Sequence, residues 1–159
     1  MAKLLINIMI IAATIHSAAL FAIAGFDEGV AAYKRGDYTN AFKEFKMSAD
    51  QGNTEAQLKL GTMYQFGVGI AQDDAEAAKW YLKAADQGLA EAQFNLGVMY
   101  ARGDGVPKDY MLAYMWFDVA AAQGHNKARK NRDVSATQLT LKQIAEAQAL
   151  AEAWKPKKQ

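Results

Sequence analysis

The residues best placed to do chemistry are acids standing close together: Asp73 beside Asp74, and Asp104 shortly before Asp109. Two carboxylates can begin a cation site, but a hard divalent cation takes six or more oxygens and a shared site here lacks a third ligand. One member of each pair, Asp73 and Asp109, also stands where a helix would start, and a carboxylate there accepts a backbone N–H. Beyond the first two dozen residues there is one histidine, His125, beside Gly124. No Ser-His-Asp triad and no multi-histidine metal cluster can be assembled around several imidazoles. Ser48 and Ser135 lack any companion base motif. Gly67-x-Gly69 and Gly103-x-Gly105 have the look of phosphate loops, yet neither follows a strand and neither leads into Lys-Ser or Lys-Thr. Trp80 and Trp116 can stack on a ligand, but they share helical faces with Ala77 and Ala113, where aromatic rings fill a core. No catalytic, cofactor-binding or metal-binding residue is assigned, and the chain is read as a non-enzyme.

What places these residues is a repeat. Shifting the sequence by 36 positions brings Ala49-Asp50-Gln51-Gly52 onto Ala85-Asp86-Gln87-Gly88, and those onto Ala121-Ala122-Gln123-Gly124. The same shift superposes Leu60-Gly61 on Leu96-Gly97, Met63-Tyr64 on Met99-Tyr100, and Asp73, Ala77, Trp80 on Asp109, Ala113, Trp116. A fixed period of this size marks a solenoid, whose units bury their apolar faces only by stacking. Each unit reads as two helices. In helix A, Ala92, Leu96 and Tyr100 step by four, with Gly97 where a side chain would hold the partner helix away. Helix B runs from Asp109 through Ala113, Trp116, Phe117 and Ala120 and stops at Gly124. Glycines and Pro107 turn the chain between A and B. The expected units are 27–52, 53–88 and 89–124, with a partial unit 125–136. Thr140 and Gln143 form a capping box for a C-terminal helix over 140–154, with Ile144, Ala147, Ala151 and Trp154 on one face. Beyond Pro156 the Lys-rich end is expected to fray.

Residues 1–24 read separately as a signal peptide: Lys3, then an apolar run, then Ala22-Ile23-Ala24 before Gly25. The alternative is an uncleaved anchor, since about 20 apolar residues can span a bilayer. Cleavage after Ala24 places the protein in the periplasm or outside the cell, with no stable membrane insertion of the mature chain. The 18 basic residues then fall to 17, with the loss of Lys3, against 17 acidic. A neutral balance gives no electrostatic reason to expect nucleic acid as partner. There is no cysteine, so no disulfide staples the fold in an oxidising compartment.

The pattern Ala56-x-x-x-Leu60-Gly61-x-x-Tyr64-x-x-Gly67-x-Gly69, followed by Asp73-x-x-x-Ala77-x-x-Trp80-Tyr81-x-x-Ala84-Ala85-x-x-Gly88, resembles the Sel-one-like repeat (SLR) family, a relative of tetratricopeptide repeats. The resemblance extends over about residues 27–154. It implies an all-α fold, an α-solenoid of stacked antiparallel helix pairs in a right-handed superhelix, used as a scaffold for protein complexes. It also implies that helix A faces the concave side. Glu55, Leu58, Thr62, Gln65, Glu91, Phe94, Val98, Arg102 and Lys127 are then the groove candidates for a protein or peptide partner, with Phe94 and Arg102 as anchors. The alternative is an envelope-associated penicillin- or glycan-interacting protein with weak β-lactamase-like activity. Family members linked to that activity pair cysteines within each repeat, and this chain has none.

Overall fold

The computed structural model describes residues 25–157; the expected signal segment lies outside the described residues. Among the described residues there are eight helices and no strand. The chain is helical over residues 25–34 (α1), and continues with α2 (Tyr38–Asp50), α3 (Thr54–Phe66), α4 (Asp74–Asp86), α5 (Ala90–Arg102), α6 (Tyr110–Ala122), α7 (Asn126–Ala136) and α8 (Leu141–Ala153). Helices α3 with α4 and α5 with α6 are the two full hairpins, and α4 packs on α5 and α6 on α7 to join the units. The all-α solenoid expected from the repeat is the observed architecture.

Local chemistry sets the helix ends. Asp73 accepts the N–H of Glu76 at 2.9 Å, and Asp109 accepts those of Met111 and Leu112, so these acids satisfy orphan donors at the starts of α4 and α6. Gly67 and Gly103 end α3 and α5 in the left-handed conformation, φ +65° and +82°, which costs glycine little. Thr140 and Gln143 complete the capping box of α8.

The repeated small residues let the helices approach. A Cβ built on Gly61 would lie 2.5 Å from the Tyr81 ring, and one on Gly97 would lie 2.7 Å from the Phe117 ring. Gly29 meets Phe45 in the same way in the first unit. The aromatic of helix B therefore rests on the bare backbone of helix A. Leu60, Met63, Leu96 and Met99 fill the remaining space and are almost wholly buried.

The repeated glutamines tie one unit to the next. Gln57 donates to the carbonyl of Ala49 and Gln93 to that of Ala85, both buried. Gln87 then donates to Gln57 and Gln123 to Gln93, each at 2.7 Å. A buried amide would be costly unpaired. Here the same relay at two successive junctions satisfies it, which explains why Gln57, Gln87, Gln93 and Gln123 recur at the 36-residue spacing.

Helix α6 carries apolar residues on every side, and a helix of that kind must be covered all round. It is: α5, α7 and α8 all pack on it. The cap docks through Trp154, whose ring meets that of Trp116 edge-on at 6.1 Å, and through Gln148, which donates to the Tyr114 hydroxyl. In α4 the positions equivalent to Met115 and Val119 are Lys79 and Lys83, a solvated face, though the Lys83 ammonium also sits 3.9 Å above the Trp80 ring. The expectation of a frayed end after Pro156 is corrected at Lys157. Its N–H donates to the Asp86 carbonyl at 2.7 Å and its ammonium pairs with the Asp86 carboxylate, so the tail is strapped across the α4–α5 turn.

Candidate functional site

The nine groove candidates lie on α3, α5 and α7, and the structure divides them by what they touch. Glu55, Arg102 and Lys127 are exposed. Thr62 and Gln65 are half-buried under the tip of Tyr81, whose hydroxyl donates to Gln65 Oε1 at 2.8 Å and lies 3.2 Å from Thr62 Oγ1. Leu58 packs against the central core. Phe94 lies 5.7 Å from the Phe117 ring and stacks at 4.4 Å on His125, so its ring serves the joint between α5 and α7. Val98 packs on the same C-terminal cluster of Phe117 and Ala128.

His125 has a structural part as well. Its Nδ1 accepts the N–H of Ala128 as the N-cap of α7, which leaves the proton on Nε2 to be donated to Glu91 at 3.0 Å. The ring thus caps α7, stacks on Phe94 and holds Glu91. Glu91 is brought to the start of α7, away from a free role. Among the described residues no group of three or more His, Cys, Asp or Glu is placed to hold a metal ion.

Burial pushes the Tyr81 hydroxyl up to about 12, against a smaller downward pull from its bond with Thr62. A hydroxyl whose folded pKa exceeds the unfolded value of about 10 contributes stability that is complete below pH 10 and is lost as pH rises towards 12. The urea midpoint is expected to fall across that window, and to fall less in Tyr81→Phe. An equal fall in the variant would assign the alkaline transition to other groups.

At the α5–α7 joint lies a hollow of about 180 Å³ lined by Val98, Ala101, Arg102, Tyr110, Phe117, Asn131, Val134 and Ser135. Val134 also lines a shallower trough of about 510 Å³ with Asn126, Arg129, Lys130, Asp133 and Thr137. The structure therefore brings Val98 and Arg102 together. It joins to them Asn131, Val134, Arg129 and Lys130, which the sequence reading passed over. A signal for them was present: α7 carries four basic residues and one acid in eleven positions. No described helix is long and apolar enough to cross a membrane.

Comparison with known proteins agrees with the repeat fold. The model of the Sel1 repeat matches residues 17–53, 54–89 and 90–125. The first match begins inside the segment expected to be the signal. The chain is 38% identical over 56 residues to an exopolysaccharide production negative regulator of Rhizobium meliloti (strain 1021). It is 39% identical over 56 residues to a protein of the same description from Rhizobium leguminosarum bv. viciae. Each match covers 35% of this chain and 21% of the relative, so the chain spans about a fifth of those proteins' length. Among solved structures, c5321, a protective antigen of uropathogenic Escherichia coli strains with an SLR fold, is similar with a TM-score of 0.79 at 34% identity, over 84% of this chain and 29% of that one. A Sel1 repeat protein from Oxalobacter formigenes is similar with a TM-score of 0.66 at 32% identity, over 82% of this chain and 56% of that one.

Proposed function

Because the chain belongs to the Sel1 repeat family, whose members stack helix pairs into scaffolds, we propose that it is an exported, non-enzymatic scaffold that holds a protein or peptide partner on its helix-A face. One observation supports this reading: in the last full unit α8 covers α6 on the helix-B side, while a hollow stays open between α5 and α7. A further hollow of about 220 Å³ beside Lys79 and Leu82 of α4 makes Lys79 the counter-test. Packing positions such as Leu60 and Leu96, or Gly61 and Gly97, repeat in identity. Positions on the open side change: Thr62 becomes Val98, Gln65 becomes Ala101 and Phe66 becomes Arg102. The close-approach positions keep their identity, and several positions on the open side do not.

Export rests on the leader-like sequence of residues 1–24. Intact-mass measurement of the exported protein is expected to give Gly25 as first residue, whereas a chain retained in membranes with Met1 in place would make the segment an anchor. For the scaffold, proteins co-purifying from the exported fraction should be lost with Arg102→Glu and kept with Lys79→Ala on α4. Loss with Lys79→Ala alone would put the binding face on the other side. A second reading, that the partner belongs to machinery controlling exopolysaccharide production, is supported by the description of the two Rhizobium relatives. Deleting the gene would then raise exopolysaccharide, and unchanged exopolysaccharide would remove this reading.

A further inference from the structure

Three of the side chains that line the hollow between α5 and α7 are smaller or less polar than their counterparts one unit earlier. In the α3–α4 hairpin the equivalent positions hold Thr62, Gln65 and Tyr81, whose hydroxyl bonds to both of the others. One period later these positions are Val98, Ala101 and Phe117. The hydroxyl is gone, the long amide has become a methyl, and these three positions are apolar. At about 180 Å³ the hollow is smaller than the roughly 300–1,000 Å³ of a small-molecule site, a size that suits a single anchoring side chain.

Basic groups outnumber acids on the helices around it, although Asp133 lines the trough and Asp104 and Asp109 lie in the loop between Arg102 and Tyr110. The acids of α5, α6 and α7 are Glu91, Asp118 and Asp133, and each is already engaged: Glu91 by His125, Asp118 and Asp133 by Arg132. The same helices carry Arg102, Lys127, Arg129 and Lys130, all exposed, and none makes an ion pair with another described residue. Arg102 lines the hollow, and Arg129 and Lys130 line the trough that shares Val134 with it. We propose that this surface binds an acidic peptide segment that inserts one large apolar side chain between Val98, Ala101, Phe117 and Val134 and sets its carboxylates against Arg102, Arg129 and Lys130. The proposal rests on the helix-A face being the binding face, and it specifies the partner's chemistry and the end of the solenoid that reads it. Arginine suits the task because its planar fork meets a carboxylate with two parallel bonds.

The test is selection of short random peptides displayed on phage against the purified chain, followed by binding of the enriched sequences as synthetic peptides. Enriched peptides are expected to be net acidic with one Leu, Ile, Met or Phe, and to bind more weakly as salt is raised. Transplanting the preceding unit's polar set, Val98→Thr with Ala101→Gln and Phe117→Tyr, is expected to weaken binding about tenfold or more with unchanged helicity. Should that variant fail to fold, Val134→Glu, at a position 58% exposed, gives the same reading by placing a carboxylate at the apolar wall. Enrichment of neutral or basic peptides overturns the proposal, as does binding indifferent to both variants. So does an outcome in which no peptide is enriched and a polyuronate oligosaccharide binds instead. If enriched peptides are lost with changes at Leu58 and Glu55 but not with these, the helix-A reading stands and this one falls; if they are lost only with Lys79→Ala, both fall.

Discussion

Replacing Gly97 with leucine is expected to destabilise the chain by about 1 to 3 kcal/mol, the usual range for overpacking a close contact. Even a Cβ at this position would stand 2.7 Å from the Phe117 ring, closer than real Cβ atoms stand. Phe117 cannot retreat, because it is 1% exposed and forms a cluster with Ala113, Ala120 and Ala128. The joint between α5 and α6 must open, and a solenoid passes such an opening on to the next unit, here α7. Thermal unfolding followed by circular dichroism reads the loss. Lys79→Ala, on an exposed face, is the control expected to change little. A melting temperature for Gly97→Leu equal to the control's would mean that the two helices do not meet at this glycine.

Removing the indole of Trp154 is expected to cost about 2 to 3 kcal/mol, less than the roughly 3 to 5 of a fully buried tryptophan because this ring is half-buried. Its edge-on contact with Trp116 holds the end of α8 on α6, and the chain just beyond it places Pro156 near Gly88 and Lys157 on Asp86. Trp154→Ala therefore loosens the cap and the strap together. Proteolysis is the sensitive readout: cleavage within residues 137–157 should rise well before the repeats are cut. Cleavage spread evenly along the chain would show that α8 is no separable cap.

The architecture was legible because a solenoid writes its packing rule once and repeats it. The spacing of Leu60, Gly61 and Tyr64 onto Leu96, Gly97 and Tyr100, with aspartates opening helix B, led directly to helices, caps and contacts that the structure contains. The binding surface was less legible. Helical spacing placed Phe94 on the same helix as Arg102, but not that its ring would be sandwiched by His125 and Phe117, since those partners arrive from other helices. Reading α7 only as another helix A brought out Lys127 but passed over Arg129 and Lys130, whose meaning depends on which acids are already paired in three dimensions. The strap at Lys157 was invisible for the same reason: Asp86 lies 71 positions away.

The central claim, that the open helix-A face holds a polypeptide partner, is tested most directly by placing a photo-crosslinking amino acid at Arg102, Val134 or Lys79, one at a time, in cells producing the chain at its natural level. Irradiation is expected to yield a discrete protease-sensitive adduct from positions 102 and 134 and none from position 79. Adducts confined to position 79, or none from any of the three, would contradict the account.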